Sequence, residues 1–280
     1  MHTATTHAPA AAAGTTDDYR FDHPRIRDII NDMYIRKHES GPGDKVKPFD
    51  METTDGGFLK SIDVSAKGLP VLLVFGSRTC PVTESAAEGL KQLHAIYGNE
   101  VRFVMVQVRE AHPGQTIGQP KTPAEKLHHA QDLKRHHNLP FEVAVGDIDG
   151  TFHRSLGSRP NSAYLIDPSG TILFRAQWPN ETEAIAGALG AILSGKKPPT
   201  PKVTRTFHAM TQTIGYMNPV LDAAGKGACL DTWKVAPPMG VMMTVSDLIF
   251  FLPPNKRGLP AMIFVMVTLA LVAAAVISGS

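Results

Sequence analysis

The sequence predicts an α/β fold, a mixed sheet covered by helices on both faces, joined to a C-terminal transmembrane helix. Three observations lead there. Val71 to Gly76 (VLLVFG) and Val101 to Val108 (VRFVMVQV) are near-continuous apolar runs, as strands buried on both faces of a sheet are. Stretches with helical periodicity and helical end signals alternate with them. Leu259 to Ile277 carries no charge over 19 residues. At ~1.5 Å per residue it reaches about 28 Å, close to the thickness of a bilayer's hydrocarbon core.

Each element follows from local chemistry. Residues 1–18 are small and polar, lack the basic start of a secretory signal and read as a disordered tail. Ile26, Ile29, Ile30, Met33 and Tyr34 recur at helical spacing, so residues 1–43 comprise this tail and a short amphipathic helix. An extended stretch around Phe49 to Leu59 precedes the first buried strand. Pro81 to Tyr97 is a helix with Ala86, Leu90, Leu93 and Tyr97 on one stripe and Gly98 as its stop. Thr122-Pro-Ala-Glu125 opens another helix as a capping box, with Pro123 at the first helical position. Glu142 to Gly146 is a short strand. Ser162 to Asp167 and Thr171 to Arg175 form a hairpin around Asp167-Pro-Ser-Gly170, and a last helix runs from Asn180 to Gly195. Parallel β-α-β units followed by an antiparallel hairpin and a closing helix are the thioredoxin-like order, assigned to residues 44–195.

Beyond Lys196-Lys-Pro-Pro-Thr-Pro-Lys202, residues 196–238 read as a linker region. Residues 239–258 read as an interfacial amphipathic segment, because its apolar run is short and broken by Asp247. A two-helix membrane hairpin is the alternative. Lys256 and Arg257 flank the start of the span at 259–277, and no charge follows it. The positive-inside bias then places the N-terminal portion in the cytoplasm, a single-pass, tail-anchored arrangement.

Composition narrows the function. The chain has 280 residues, 28 Lys+Arg against 26 Asp+Glu, and no basic block, so nothing points to nucleic acid as a partner. Cys80 and Cys229 are the only cysteines, which excludes a disulfide scaffold and a Cys-rich zinc module. His128, His129, His136 and His137 lack a His-x-x-x-His pair and read as a solvated helix face, with no metal. Asp147-Ile-Asp-Gly150 lacks the acidic residue that would complete a calcium loop and reads as a turn. No cofactor is implied.

Cys80 stands where the first buried strand hands over to its helix, in Gly76-Ser-Arg-Thr-Cys-Pro81. Free N–H groups and the helix dipole favour a thiolate there, so Cys80 is expected to be acidic and nucleophilic. Ser77, Arg78 and Thr79 are the candidates for tuning it. Position 83 is Thr, not the second cysteine of a Cys-x-x-Cys pair, so turnover needs an external thiol reductant or Cys229 as resolving thiol. The bland alternative is a buried structural cysteine.

The residues FGSRTCP and, 30 positions later, Arg109-Glu-Ala-His-Pro113, together with Tyr164-Leu-Ile-Asp167, resemble the iodothyronine deiodinase family over about Lys47 to Leu193. The resemblance implies a thioredoxin fold with Cys80 at the family's selenocysteine position. It also implies that Glu110 and His112 form a hydrogen-bonded acid/base group beside the nucleophile. The chain departs from the family in carrying sulfur for selenium and Gly-Gln-Thr after Pro113. A second resemblance is to peroxiredoxins, through Cys80-Pro-Val-Thr-Glu84 and Ser77, with Arg159 in the place of a catalytic arginine. The expected function is thus a membrane-anchored, thiol-dependent oxidoreductase acting on a small-molecule or thiol substrate. A peroxidase and a non-catalytic tethered binding module are the alternatives.

Overall fold

The structure is a computed structural model describing residues 19–33, 39–61, 68–157, 159–199 and 204–278. The tail read at residues 1–18 lies outside them. A helix α1 (Ile26–Met33) precedes the hairpin β1 (Asp50–Thr53) and β2 (Phe58–Lys60). There follow β3 (Val71–Gly76), α2 (Pro81–Tyr97), β4 (Arg102–Gln107), α3 (Pro123–His137) and β5 (Glu142–Val145). A short α4 (Thr151–Ser155), the strands β6 (Ala163–Ile166) and β7 (Ile172–Ala176), and α5 (Thr182–Leu193) complete the unit.

The seven strands form one sheet in the order β2-β1-β5-β4-β3-β6-β7. β3, β4 and β5 run parallel, while β6 and β7 return antiparallel on the far side of β3. This is the thioredoxin-like arrangement, extended by the β1–β2 hairpin on β5. Strand periodicity divides the core. Leu72 and Val74 pack with Leu90 of α2 and Ile185 of α5, whereas Leu73 and Phe75 point to the opposite face with Phe152 and Leu156. All six residues of β3 are buried, which is why its sequence shows no alternation.

Local end signals perform as their chemistry requires. Thr122 accepts the Glu125 N–H at 3.2 Å, and the Glu125 carboxylate reaches back to the N–H of Lys121 at 2.6 Å. The turn read at Asp147–Gly150 is present, closed by the Gly150 N–H on the Asp147 carbonyl at 3.1 Å, and it leads straight into α4, where Asp147 accepts the Thr151 N–H and hydroxyl. Gly150 has φ +64°, and a Cβ there would fall within 2.0 Å of the Tyr19 ring, so the position excludes a side chain twice over.

The largest departure from the sequence reading lies between 196 and 258. Where a linker was expected, α6 (Thr204–Ile214), α7 (Met217–Ala224) and α8 (Lys226–Val235) form a helical layer on the domain. Met217, Leu221, Ala224, Ala228 and Met243 share an apolar cluster. The Asn180 side chain donates to the Ala209 carbonyl at 2.8 Å, and His23 meets Asp231 at 2.6 Å, tying the layer to both ends of the unit. These helices are short, interrupted at Gly215 and Gly225, and follow a Pro/Lys stretch that reads as a linker; helices of this length are sustained by tertiary packing. The segment read as interfacial overlaps α9 (Pro237–Leu248), which packs on α8 and on α10 (Pro254–Ser278). α10 begins before the predicted span. Its 25 residues are long and apolar enough to cross a membrane, and beyond Leu259 only Ala261 and Val265 are buried.

Candidate active site

The turn from β3 into α2 places Cys80 at the N-cap of α2, with extended backbone (φ −102°, ψ 111°). Its carbonyl accepts the first helical bond, from the Glu84 N–H at 3.1 Å, and Pro81 has no N–H to leave unpaired. Because β4 lies parallel and adjacent to β3, its C-terminal end brings Arg109 to His112 alongside this turn. The two are joined at Thr79. Its hydroxyl donates to Glu110 Oε2 at 2.6 Å and accepts the His112 N–H at 3.2 Å.

Cys80 is not the acidic thiol that the sequence suggested. It is 3% exposed, packed with Val82, Ala111, Trp178 and Ala209. Burial pushes its pKa up. The N–H and hydroxyl of Thr83 and the N–H of Val82 pull the other way, without closing a side-chain cap bond, and the Asp32 carboxylate adds to the rise. The helix N-terminus faces the sulfur as expected; the loss of water outweighs it.

The tuning residues have other duties. Ser77 is fully buried and accepts the Ala111 N–H at 3.3 Å, fastening β4 to the Cys80 turn. Arg78 turns away to His136 Nδ1 at 3.2 Å and to Glu84. Thr79 carries the link to Glu110. Thr83, passed over because it is not cysteine, is the hydroxyl that faces the thiol. Its signal was present in the sequence as a hydroxyl residue one helical turn after a nucleophile.

Glu110 and His112 are brought to the site but not to each other as an orienting pair. Glu110 is completely buried and accepts four donors: the Thr79 N–H at 2.9 Å, the Thr79 hydroxyl, Gln107 Nε2 at 2.7 Å and His129 Nδ1 at 2.9 Å. Its partner histidine is therefore His129 of α3, which the sequence assigned to a solvated face. Burial pulls the His129 pKa down, but the hydrogen bond and charge of Glu110 outweigh this and hold it above the ordinary value. The side chain of His112 is free of Glu110. Burial, reinforced by the Arg109 charge, lowers its pKa to about 4, so its imidazole is neutral at pH 7. Its Nδ1 is buried and has no hydrogen-bond partner among the described residues.

Cys80 and His112 line one apolar cavity of about 150 Å³. α1 closes one side with Asp28, Ile29 and Asp32, and the helical layer closes another with Met210, Ile214, Met217 and Met239. Asp32 is held by Arg109 Nη2 at 2.8 and 2.9 Å, and Arg109 lies on the Phe21 ring at 4.7 Å. Neither wall was assigned to the site from the sequence. Cys229 is not among the cavity residues; it belongs to α8, and its thiol donates to Asp222 at 3.2 Å. Arg159 is buried against Glu39 and Ser162. Glu84, His136 and His137 bring three ligand atoms within 4.8 Å of one another, but Arg78 already donates into this group, an ion-pair cluster.

No family model matches the chain, and no curated protein matches it. Solved structures do. An uncharacterised conserved protein from Geobacillus kaustophilus is 19% identical, with 60% of this chain and 93% of that one covered and a TM-score of 0.46. Peroxidoxin BcpB from Mycobacterium tuberculosis is 14% identical, with 55% and 97% covered and a TM-score of 0.42. A thiol:disulfide interchange protein DsbE, described as putative, from Chlorobium tepidum is 23% identical, with 51% and 92% covered and a TM-score of 0.39. None of these three is described as a deiodinase, and at such identities the likeness is one of fold.

Proposed function

We propose that the protein is a membrane-anchored, single-cysteine oxidoreductase that reduces organic peroxides at Cys80 with an external thiol as reductant. The observation that carries this reading is the shared cavity: a helix-capping thiol and a neutral imidazole with an unpartnered nitrogen line the same apolar space.

The geometry favours some substrates over others. A sulfur 3% exposed is out of reach of a folded protein's disulfide, so the oxidant is a small molecule. An apolar space of about 150 Å³ accepts a benzene-sized guest. That suits the peroxide-bearing end of an alkyl or aryl hydroperoxide; carbon–iodine cleavage at this thiol, the chemistry of the deiodinase resemblance, is the second reading.

The chain's own groups suffice for the step. Thiol and imidazole both start neutral. As the sulfur attacks the distal peroxide oxygen, the O–O bond breaks and the thiol proton passes through His112 to the leaving alkoxide. The products are an alcohol and Cys80 sulfenic acid. Two molecules of external thiol then restore Cys80, releasing water and a disulfide. Asp32 and Arg109 form a neutral pair on the cavity side, Glu110 holds the Thr79 turn in place, and α10 anchors the unit with its catalytic domain in the cytoplasm.

The test treats the full-length protein in detergent with tert-butyl hydroperoxide, an aryl iodide or a small disulfide, each with dithiothreitol, and traps sulfenic acid for mass spectrometry. Peroxide turnover lost in Cys80→Ser, with the trapped adduct on Cys80, is the expected result. Turnover of the aryl iodide alone establishes the deiodinase-like reading. A Cys80→Ser protein indistinguishable from wild type in every arm refutes catalysis and leaves a tethered binding module.

A further inference from the structure

Three residues that line the cavity beside Cys80 carry a polar atom buried without a partner among the described residues: His112 Nδ1, Trp178 Nε1 and Asn161 Oδ1. Buried polar atoms in this state are uncommon in folded proteins and mark a place for a ligand's polar group. Much of the remaining wall is apolar, with Met210, Met217 and Met239 supplying unbranched side chains that repack around chains of differing shape, while Asp28, Asp32, Thr213 and Thr232 are its other polar members.

The apolar wall lies beside the membrane helix. A Cβ on Gly258 of α10 would fall 1.7 Å from the Thr211 carbonyl oxygen and 3.0 Å from Ile214 Cβ. A Cβ on Gly215 would fall 2.0 Å from the Pro254 carbonyl oxygen. The end of α6 and the base of α10 are therefore in backbone contact, made possible by two glycines. Ile214 lines the cavity on one side and meets that base on the other. In the turn between α9 and α10, Phe250 and Phe251 are 74% and 73% exposed, and Arg257 donates back to the Phe250 carbonyl at 2.9 Å just before the exposed run from Leu259. Exposed Phe beside a basic residue at the mouth of a span suits a membrane interface.

Resting on the peroxide-reductase reading, we infer that Cys80 takes its substrate from the bilayer: a long-chain organic hydroperoxide whose –OOH group meets His112, Trp178 and Asn161 while its chain runs between α6 and α9 toward the lipid. The reaction is the one written above. The peroxide is reduced to the alcohol, Cys80 is oxidised to sulfenic acid, and soluble thiol returns it.

The experiment reconstitutes the full chain in phosphatidylcholine vesicles and follows Cys80 oxidation with three presentations of peroxide. These are tert-butyl hydroperoxide in water, a long-chain alkyl hydroperoxide in the same vesicles, and that hydroperoxide in separate vesicles. Oxidation about ten-fold or more faster in the shared than in the separate vesicles is expected from the raised effective concentration at the cavity mouth. Ile214→Trp, which fills the proposed path, should lower the ratio of shared-vesicle to water-phase rates, and Met210→Phe does the same if the first variant misfolds. Equal rates from shared and separate vesicles, or a ratio unmoved in both variants, overturn lipid delivery even where tert-butyl hydroperoxide oxidises Cys80. No oxidation of Cys80 by any peroxide overturns the underlying reading itself.

Discussion

Glu110→Gln isolates what the buried carboxylate does. In the native protein four donors converge on two oxygens: two from Thr79 on Oε2, and those of Gln107 and His129 on Oε1. An amide keeps one oxygen and replaces the other with an NH₂ group. Whichever way it turns, two donors face a donor. Each orphaned buried group costs about 1–3 kcal/mol, and loss of the charge partner of His129 adds to that. A total of about 3–5 kcal/mol corresponds to a fall in Tm of about 6–20 °C for a domain of this size. The sign with pH is fixed by His129. Its pKa is raised in the fold, so its contribution is fully present below the ordinary value of 6.5 and is lost as pH rises through the elevated one. The gap between wild type and Glu110→Gln should therefore be wider at pH 6 than at pH 9, read by differential scanning calorimetry. Histidine NMR should show the His129 titration moving down while that of His112 stays. A melting point within about 2 °C of wild type at pH 6, or a displaced His112 titration, would refute the assignment of Glu110 to Thr79 and His129 and restore the Glu110–His112 pair.

Asp32→Asn removes a carboxylate that raises the Cys80 pKa, so iodoacetamide alkylation of the full-length protein at pH 8 should quicken; an unchanged rate separates α1 from the thiol. The pH dependence of Cys80 oxidation should show its acid limb near 4, where His112 protonates, and a limb near 6.5 would place that imidazole in water. His112 and His137, lowered to about 4 and about 3 by burial, bind protons more readily when unfolded. Stability should therefore fall as pH drops below about 6.5, measured as the urea midpoint. Cys229→Ser should leave peroxide turnover with dithiothreitol within about two-fold, since its thiol is engaged by Asp222 outside the cavity and a two-fold change is a mere ~0.4 kcal/mol; a ten-fold loss would make it the resolving thiol.

The strands were legible wherever burial on both faces left an unbroken apolar run, as at Leu72 to Phe75, and the helices wherever an end signal was local, as at Thr122 and Glu125. Cys80 was placed correctly at the mouth of α2 because strand, turn and helix are contiguous there. Its ionisation was not, because the water that Trp178, Ala209 and Asp32 exclude is removed by residues 48 to 129 positions away. The same holds for Glu110, whose spacing from His112 suggested a pair. The geometry at the end of β4 instead delivers its carboxylate to Thr79, and the turn of α3 that carries His129 supplies the other half.

Periodicity and composition sufficed, then, for an α/β unit with a lone cysteine at a strand-to-helix turn and an apolar helix at the far end. Tertiary structure alone decided that residues 204–248 are walls and not a tether, and which imidazole meets which carboxylate. It also set the thiol as neutral and enclosed. Strand and helix patterns arise from neighbours along the chain, whereas desolvation and hydrogen-bond partnership depend on groups that meet only when the chain is folded.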